Sequence, residues 1–298
     1  MTAEHIAAVR RFNRLVTQRV GALEDDFLGR KRPLGQSRVL FEIGAEGAEL
    51  RDLRGRLGLD SGYLTRVVQA LAAAGLVDIE PAPEDERVRR VRLTPAGLAE
   101  VGEMDRRSDV GAAAILEPLS DVQRERLVTA MAEVHRLLLA AGVRIERVHP
   151  ESRDARWCLE RYYAELDRRF ESGFDPGASL PAPASELIPP RGAFLVATVD
   201  GRAVGCGAVK VIGPGVGSIK RMWISEEMRG LGVGRRILAA LEEHAARLGL
   251  ATLRLETNRS LREAIGLYTA CGYREVAPFN DDPYADHWFE KRLENVPA

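Results

Sequence analysis

Arg229-Gly-Leu-Gly-Val-Gly234 lies between an apolar run ending at Ile224 and an amphipathic helical pattern starting near Arg235. Glycines at such a junction let backbone N–H groups and a helix N-terminus approach a pyrophosphate without a cationic side chain. The same glycines, Gly230, Gly232 and Gly234, would equally serve a tight turn and a helix start, so the surrounding chain has to separate the two readings.

Upstream, residues 193–199, 203–212 and 216–224 are apolar, β-rich runs joined by turns at Asp200-Gly201 and Gly213-Pro214-Gly215. A helical pattern over 154–170 and a Gly/Pro/Ser-rich stretch over 173–191 precede them. Downstream come a helix over 235–248, a strand over 252–257 and a helix over 260–270. Residues 273–276 and 287–292 close the chain as a final strand pair. Strands alternating with helices indicate a mixed α/β sheet, and a strand before and a helix after the glycines favour the phosphate cradle.

The first 142 residues are organised differently. Ile6, Val9, Phe12, Val16 and Val20 recur at helical spacing, as do Leu127, Met131, Val134, Leu137 and Leu138. Such stripes pack either on the chain's own core or on a partner surface, and we expect a homodimer. Between them, residues 37–43, 50–57 and 60–74 read as short helices, the third opened by the cap candidates Asp60 and Ser61. On that third helix Leu64, Val67, Val68 and Leu71 form a core face, leaving Ser61, Tyr63, Thr65, Arg66 and Gln69 to face outward. That polar face suits contact with base edges and phosphates in a major groove, although an ordinary solvated helix face is polar too. Residues 78–94 then read as two strands with a Pro-rich tip, and Thr94-Pro95 marks the next helix start. Arg87, Arg89, Arg90 and Arg92 crowd the returning strand, as a wing that meets phosphates and a minor groove would require. Residues 144–149 follow the last helix almost at once, so the division is expected as domains 1–142 and 143–298 without a flexible tether.

Bulk properties agree with this division. At 298 residues, with 45% apolar and 29% charged residues, the chain can bury two cores. A net charge of -1 excludes a generally basic nucleic-acid coat, but leaves room for a local basic face. Cys158, Cys206 and Cys271 lack disulfide or metal-ligand spacing and read as small, buried free thiols in a reducing cytoplasm. No metal site is expected, and no run approaches the roughly 18 apolar residues of a membrane span.

Residues 35–98 resemble the winged helix-turn-helix of the MarR family of transcription regulators, down to Asp85-x-Arg87 followed by Leu93-Thr94. The resemblance implies binding to a palindromic DNA operator, with Arg87 as the wing contact in the minor groove and Asp85 orienting it. Residues 144–293 resemble the GNAT superfamily of acyl-CoA-dependent N-acyltransferases, through M-W-I-S-E-E-M-R-G-L-G-V-G-R at 222–235, L-E-T-N at 255–258 and L-Y-T-A-C-G-Y at 267–273. The chain thus reads as a mainly α winged helix-turn-helix followed by an α/β mixed-sheet GNAT fold, an N-acetyltransferase using acetyl-CoA joined to a regulator.

By that resemblance Met222, Trp223 and Ile224 offer backbone groups to the pantetheine arm, with Asn258 meeting it from the next strand. Arg229, Gly230, Leu231, Gly232, Val233, Gly234 and Arg235 would hold the pyrophosphate. Trp223 reads as readily as a sheet-packing aromatic. The chemistry asks for a neutral amine, an oxyanion donor and a proton for the departing thiolate. Tyr268 matches the family's general acid, with a packed helix tyrosine as the alternative, and a backbone N–H near Ile224 would serve the oxyanion. Cys271 reads as structural, since direct transfer needs no covalent intermediate. For the base, Glu256 is the nearest carboxylate; binding a substrate ammonium or a water-relayed path is the alternative. The acceptor, a small-molecule amine or a lysine, would meet residues 171–179 and the stretch with Asp281, Asp282, Asp286 and His287, whose carboxylates suit either a cationic amine or a solvated turn. An acyl-CoA or metabolite sensor without turnover is the alternative role for the second domain.

Overall fold

The computed structural model describes residues 1–21, 27–29, 32–82 and 85–293. They divide into two compact units, Met1–Met131 and Ala132–Ala298.

The first unit contains α1 (Ala3–Arg19), α2 (Leu34–Ile43), β1 (Ala48–Glu49), α3 (Leu50–Leu57), α4 (Ser61–Ala73), β2 (Val77–Ala82), β3 (Asp85–Leu93) and α5 (Pro95–Leu116). Helix α6 (Asp121–Gly142) begins within it. Asp60 Oδ1 accepts the Tyr63 N–H at 2.8 Å, and Thr94 Oγ1 accepts the Gly97 N–H at 3.0 Å, so both expected caps close orphan donors of a first turn. Helix α2 starts three residues before the expected Ser37, because Pro33 takes an extended conformation (φ -61°, ψ 148°) suited to a helix entry. Strand β3 pairs antiparallel with β2 on one side and β1 on the other, giving the order β1-β3-β2. Val39, Leu40, Leu53, Leu64, Val68, Leu71 and Val91 form the core. Helix α1 has no buried residue, and Val9, Phe12 and Leu15 are exposed.

The second unit is built on one sheet. Its elements are β4 (Arg144–Val148), α7 (Arg153–Arg169), β5 (Gly192–Val199), β6 (Arg202–Gly213), β7 (Val216–Ile224), α8 (Val233–Arg247), β8 (Thr252–Thr257), α9 (Arg262–Ala270), β9 (Arg274–Val276) and β10 (His287–Arg292). Strand order is β4-β5-β6-β7-β8-β10-β9. The last two strands pair as expected, but β10 inserts between β8 and β9. Strand β5 is buried nearly throughout because both faces are covered: Leu195 and Ala197 join a core with α8, and Phe194 and Val196 a core with α7.

Two helix starts differ from expectation for local reasons. Helix α8 begins at Val233 instead of Arg235, since Gly232 supplies the N-cap at φ +77°. Helix α9 begins at Arg262 instead of Ser260, because Asn258 Oδ1 accepts the Ser260 N–H at 2.9 Å and holds a non-helical turn.

The feature that makes a site is the seam between β7 and β8. These are parallel, joined by the α8 crossover, and pair only at Val216 with Thr252, Gly217 with Leu253 and Ser218 with Arg254. Beyond Ser218 the two strands separate, each still held on its outer side by β6 or β10.

Candidate functional site

A cleft opens where the strands part, with two lobes that share Tyr162, Leu166, Met222, Leu261, Ala264 and Tyr268. One lobe continues past Trp223, Ile224 and Arg229 toward the start of α8; the other reaches Phe170, Phe174, Glu256 and Tyr284. Strand β7 bends along its rim. Lys220 pairs with Ala208 and Trp223 with Cys206, so Arg221 and Met222 together oppose Gly207. This is a β-bulge, and Arg221 takes φ +58° within it. Cys206 Sγ donates to the Arg221 carbonyl at 3.2 Å, steadying the bend from beneath. Cys158 and Cys206 pack in one apolar cluster, and all three cysteines are free.

At the far end of the first lobe, Gly230 (φ +76°) and Gly232 (φ +77°) are left-handed, and no atom lies within 4 Å of where a Cβ would stand on either. Helix α8 has no side-chain cap there. A 15-residue helix with an uncapped N-terminus and open backbone offers N–H donors and a positive dipole end, which fits a pyrophosphate. Leu231 is half-buried, Val233 buried, and Arg235 exposed beside the glycines.

Arg229 is engaged elsewhere. Its Nη2 donates to Glu165 Oε2 at 2.5 Å, and its Nε and Nη2 donate to the Ile224 carbonyl at 3.1 and 3.0 Å. Glu165 also accepts from Trp223 Nε1 at 2.9 Å and Arg169 Nη1 at 3.1 Å. Burial pushes the Glu165 carboxyl up, but Arg229 and Arg169 outweigh it and hold the group below its ordinary range. Glu165 therefore ties α7, the end of β7 and the cradle loop together. Trp223 packs edge-on against Trp157, with centroids 5.8 Å apart, so its ring belongs to the sheet packing while its backbone borders the cleft.

Tyr268 stands where the lobes meet, buried against Tyr273 and Phe289. Its hydroxyl has no hydrogen-bond partner among the described residues. Burial raises its pKa well above the ordinary phenol value, with Tyr162 and Glu256 adding to the effect, so the phenol keeps its proton through the physiological range. Burial likewise raises Tyr162.

Glu256 is less free than a base should be. It forms a buried ion pair with Lys220, and its other oxygen accepts from Asn280 Nδ2 at 3.2 Å. The Asn258 side chain donates to the Tyr284 carbonyl at 2.9 Å and accepts from Ser260, so its amide is engaged in holding the loop. Asp282 is buried and accepts from Ser179 Oγ, the Leu180 N–H and the Tyr284 N–H at 3.0 to 3.2 Å. Asp286 pairs with Arg259 at 2.5 Å, and His287 with Glu275 at 2.7 Å. These acidic groups thus fasten loops. Among the described residues no three His, Cys, Asp or Glu side chains gather as a metal site.

In the first unit, Ser61, Thr65, Arg66 and Gln69 are exposed on α4, whereas Tyr63 is half-buried and packs onto the core. Arg90 Nη2 donates to the Glu46 carbonyl at 2.8 Å and Arg92 pairs with Glu80 at 3.0 Å. Arg66 and Arg89 make no ion pair among the described residues. The side chains of Asp85 and Arg87 lie outside the described residues.

Tyr162, Glu165, Lys220 and Arg221 also line the cleft, without belonging to any of the motifs above. Glu165 had a signal: Ala155, Cys158, Glu165 and Leu166 share the buried stripe of α7, and a carboxylate on an apolar stripe demands buried partners. The pairing of Lys220 with Glu256 had none, since it depends on where two strands part.

A winged helix-turn-helix followed by an α/β sheet split at a parallel seam defines a regulator-type segment joined to an acyltransferase fold. A model of the acetyltransferase (GNAT) family matches residues 157–273, and one of the MarR family matches residues 28–88. An IAA acetyltransferase of Azospirillum brasilense is 36% identical over 121 residues, 40% of this chain and 78% of that protein. An uncharacterized N-acetyltransferase of Schizosaccharomyces pombe is 31% identical over 44% of this chain and 80% of its own length. A solved GNAT-family acetyltransferase from Staphylococcus aureus is 15% identical, covering 51% of this chain and 99% of its own, with a TM-score of 0.44. The chain belongs to the GNAT acetyltransferase family through its second unit and carries a MarR-family segment in its first.

Proposed function

We propose that this protein is a homodimeric regulator whose domain 143–298 transfers an acetyl group from acetyl-CoA directly to an amine, and whose domain 1–142 binds a palindromic operator. The observation that carries the transfer is the parted β7/β8 seam, with a helix N-terminus without a side-chain cap at one end and, at its centre, the Tyr268 hydroxyl, which has no hydrogen-bond partner among the described residues. The open glycines and the first turn of α8 hold the pyrophosphate, and the end of β7 lines the arm. Acetyl-CoA supplies the thioester. The amine nitrogen forms a C–N bond with the thioester carbon, the C–S bond breaks, and Tyr268 donates its proton to the departing sulfur. Bulged backbone at Arg221 and Met222 leaves ladder groups free beside this centre, where an N–H can stabilise the oxyanion. The amine's own proton leaves through water, or through Glu256 once Lys220 releases it.

The engagement of Glu256 by Lys220 and Asn280 favours one rival, a domain that senses acyl-CoA without turnover. Thiol release from acetyl-CoA, measured on the full chain across a panel of amines, separates the two. Turnover with an amine supports transfer; tight acetyl-CoA binding with no turnover on any amine leaves the sensor. Binding of the full chain to palindromic DNA at stated salt tests the regulator half.

A further inference from the structure

The second lobe of the cleft has an aromatic wall and one cation, Arg221, without a carboxylate partner among the described residues. Phe174 lies 5.8 Å from Tyr163 in a stacked arrangement and 4.8 Å from Tyr284, and Phe170 lies 5.7 Å from Tyr284. The Arg221 guanidinium sits over the Tyr163 ring at 5.1 Å, at one end of this run. Lys220, beside it in sequence, is neutralised by Glu256. Both carboxylates on the lining, Glu256 and Asp282, already hold their partners. Arg221 has no carboxylate or carbonyl partner among the described residues, although it is half-buried and lines the lobe.

A guanidinium presents a planar fork of donors that matches a carboxylate, and leaving it unpaired in a part-dry chamber wastes that capacity. A polycationic acceptor would meet this free charge and find no free carboxylate. An apolar amine without an acid group would fill the chamber and leave the fork unused. From this arrangement we infer that the acceptor is an aromatic amino acid: its carboxylate pairs with Arg221, its ring packs against the wall formed by Phe170, Phe174 and Tyr284, and its α-amine is the nucleophile. The inference rests on the acetyltransferase reading above and narrows its acceptor. The α-amine forms the C–N bond and loses a proton to water or a released Glu256, the C–S bond breaks, and the sulfur takes a proton from Tyr268.

The experiment compares phenylalanine and tryptophan with their decarboxylated counterparts, phenethylamine and tryptamine, and with spermidine. Thiol release is followed on the full chain and products are identified by mass. The amino acids should exceed the decarboxylated amines in kcat/KM by roughly tenfold or more, the worth of one charge-assisted hydrogen bond. Arg221→Gln should bring that ratio close to one, and Arg221→Lys should restore part of it. Equal or better turnover of phenethylamine, or preference for spermidine, overturns the inference and leaves the acetyltransferase reading standing. No thiol release with any amine overturns that reading; calorimetry then decides the site, since phenylalanine binding lost in Arg221→Gln supports it and absence of binding overturns it.

Discussion

Replacing Gly232 by alanine puts the phosphate cradle to a test with a built-in control. Gly232 has φ +77° and Gly249, at the other end of α8, has φ +75°; both are exposed, and neither has an atom within 4 Å of its Cβ position. An added methyl therefore strikes nothing at either position, and the cost is backbone strain alone. A left-handed non-glycine residue costs about 1–2 kcal/mol, partly offset by the lower entropy of the unfolded chain. Each variant should lose about 1 kcal/mol, read from urea unfolding by tryptophan fluorescence. That signal reports the second unit only, because Trp157, Trp223 and Trp288 all lie there. Only Gly232→Ala places its methyl where a phosphate would take backbone N–H groups. Losing a charge-assisted hydrogen bond of about 1.5–3 kcal/mol should weaken acetyl-CoA binding roughly ten- to hundredfold in calorimetry. Gly249→Ala should bind as the parent does. Unchanged affinity in Gly232→Ala, or an equal loss in both variants, would refute the cradle.

Other expectations follow from the same geometry. Tyr268→Phe removes no hydrogen bond to the described residues, so folding should hold while kcat falls about 10²-fold or more at constant acetyl-CoA affinity; an unchanged rate would exclude it as general acid. Because Glu165 titrates below its ordinary 4.5 when folded, its ionised form stabilises the second unit above the unfolded-state pKa. That contribution is lost as pH falls through the folded value. Glu165→Gln should flatten the fall of the urea midpoint as pH drops through and below the ordinary carboxylate value of 4.5, and parallel profiles would show that the knot carries no linkage. Arg66→Ala and Arg89→Ala, both exposed, should leave the melting temperature alone; where the guanidinium neutralises a phosphate, its removal should lower the salt slope of DNA binding by about one. In the proposed homodimer, Val9→Asp on the exposed face of α1 should shift sedimentation from dimer to monomer; an unmoved dimer would place the interface elsewhere, and a parent that sediments as a monomer would refute the dimer.

Local chemistry made much of this molecule readable before its structure. Thr94-Pro95, Asp60 and the 216–224 run each announce their element because a cap or an apolar pattern acts within a few residues. The glycine loop was legible for the same reason, since a left-handed turn into a helix leaves a compositional mark. What escaped is set by distant strands. The insertion of β10 between β8 and β9 depends on pairings with strands distant in the chain, and the bulge at Arg221 on a mismatch with β6. Site residues divide along the same line: Tyr268 belongs to a motif, whereas Glu165, Lys220 and Arg221 acquire meaning only through partners on other elements.

The three-pair seam between β7 and β8 also has a thermodynamic side. Two facing strand ends in the middle of a sheet present unpaired backbone groups that edge strands normally hide. A ligand that fills the seam binds the folded unit and not the unfolded chain, so it adds RT ln(1 + [L]/Kd), about 2.7 kcal/mol at a hundredfold excess over Kd. With acetyl-CoA as that ligand, as proposed above, the lifetime of the second unit should lengthen when the donor is abundant and shorten by proteolysis when it is scarce.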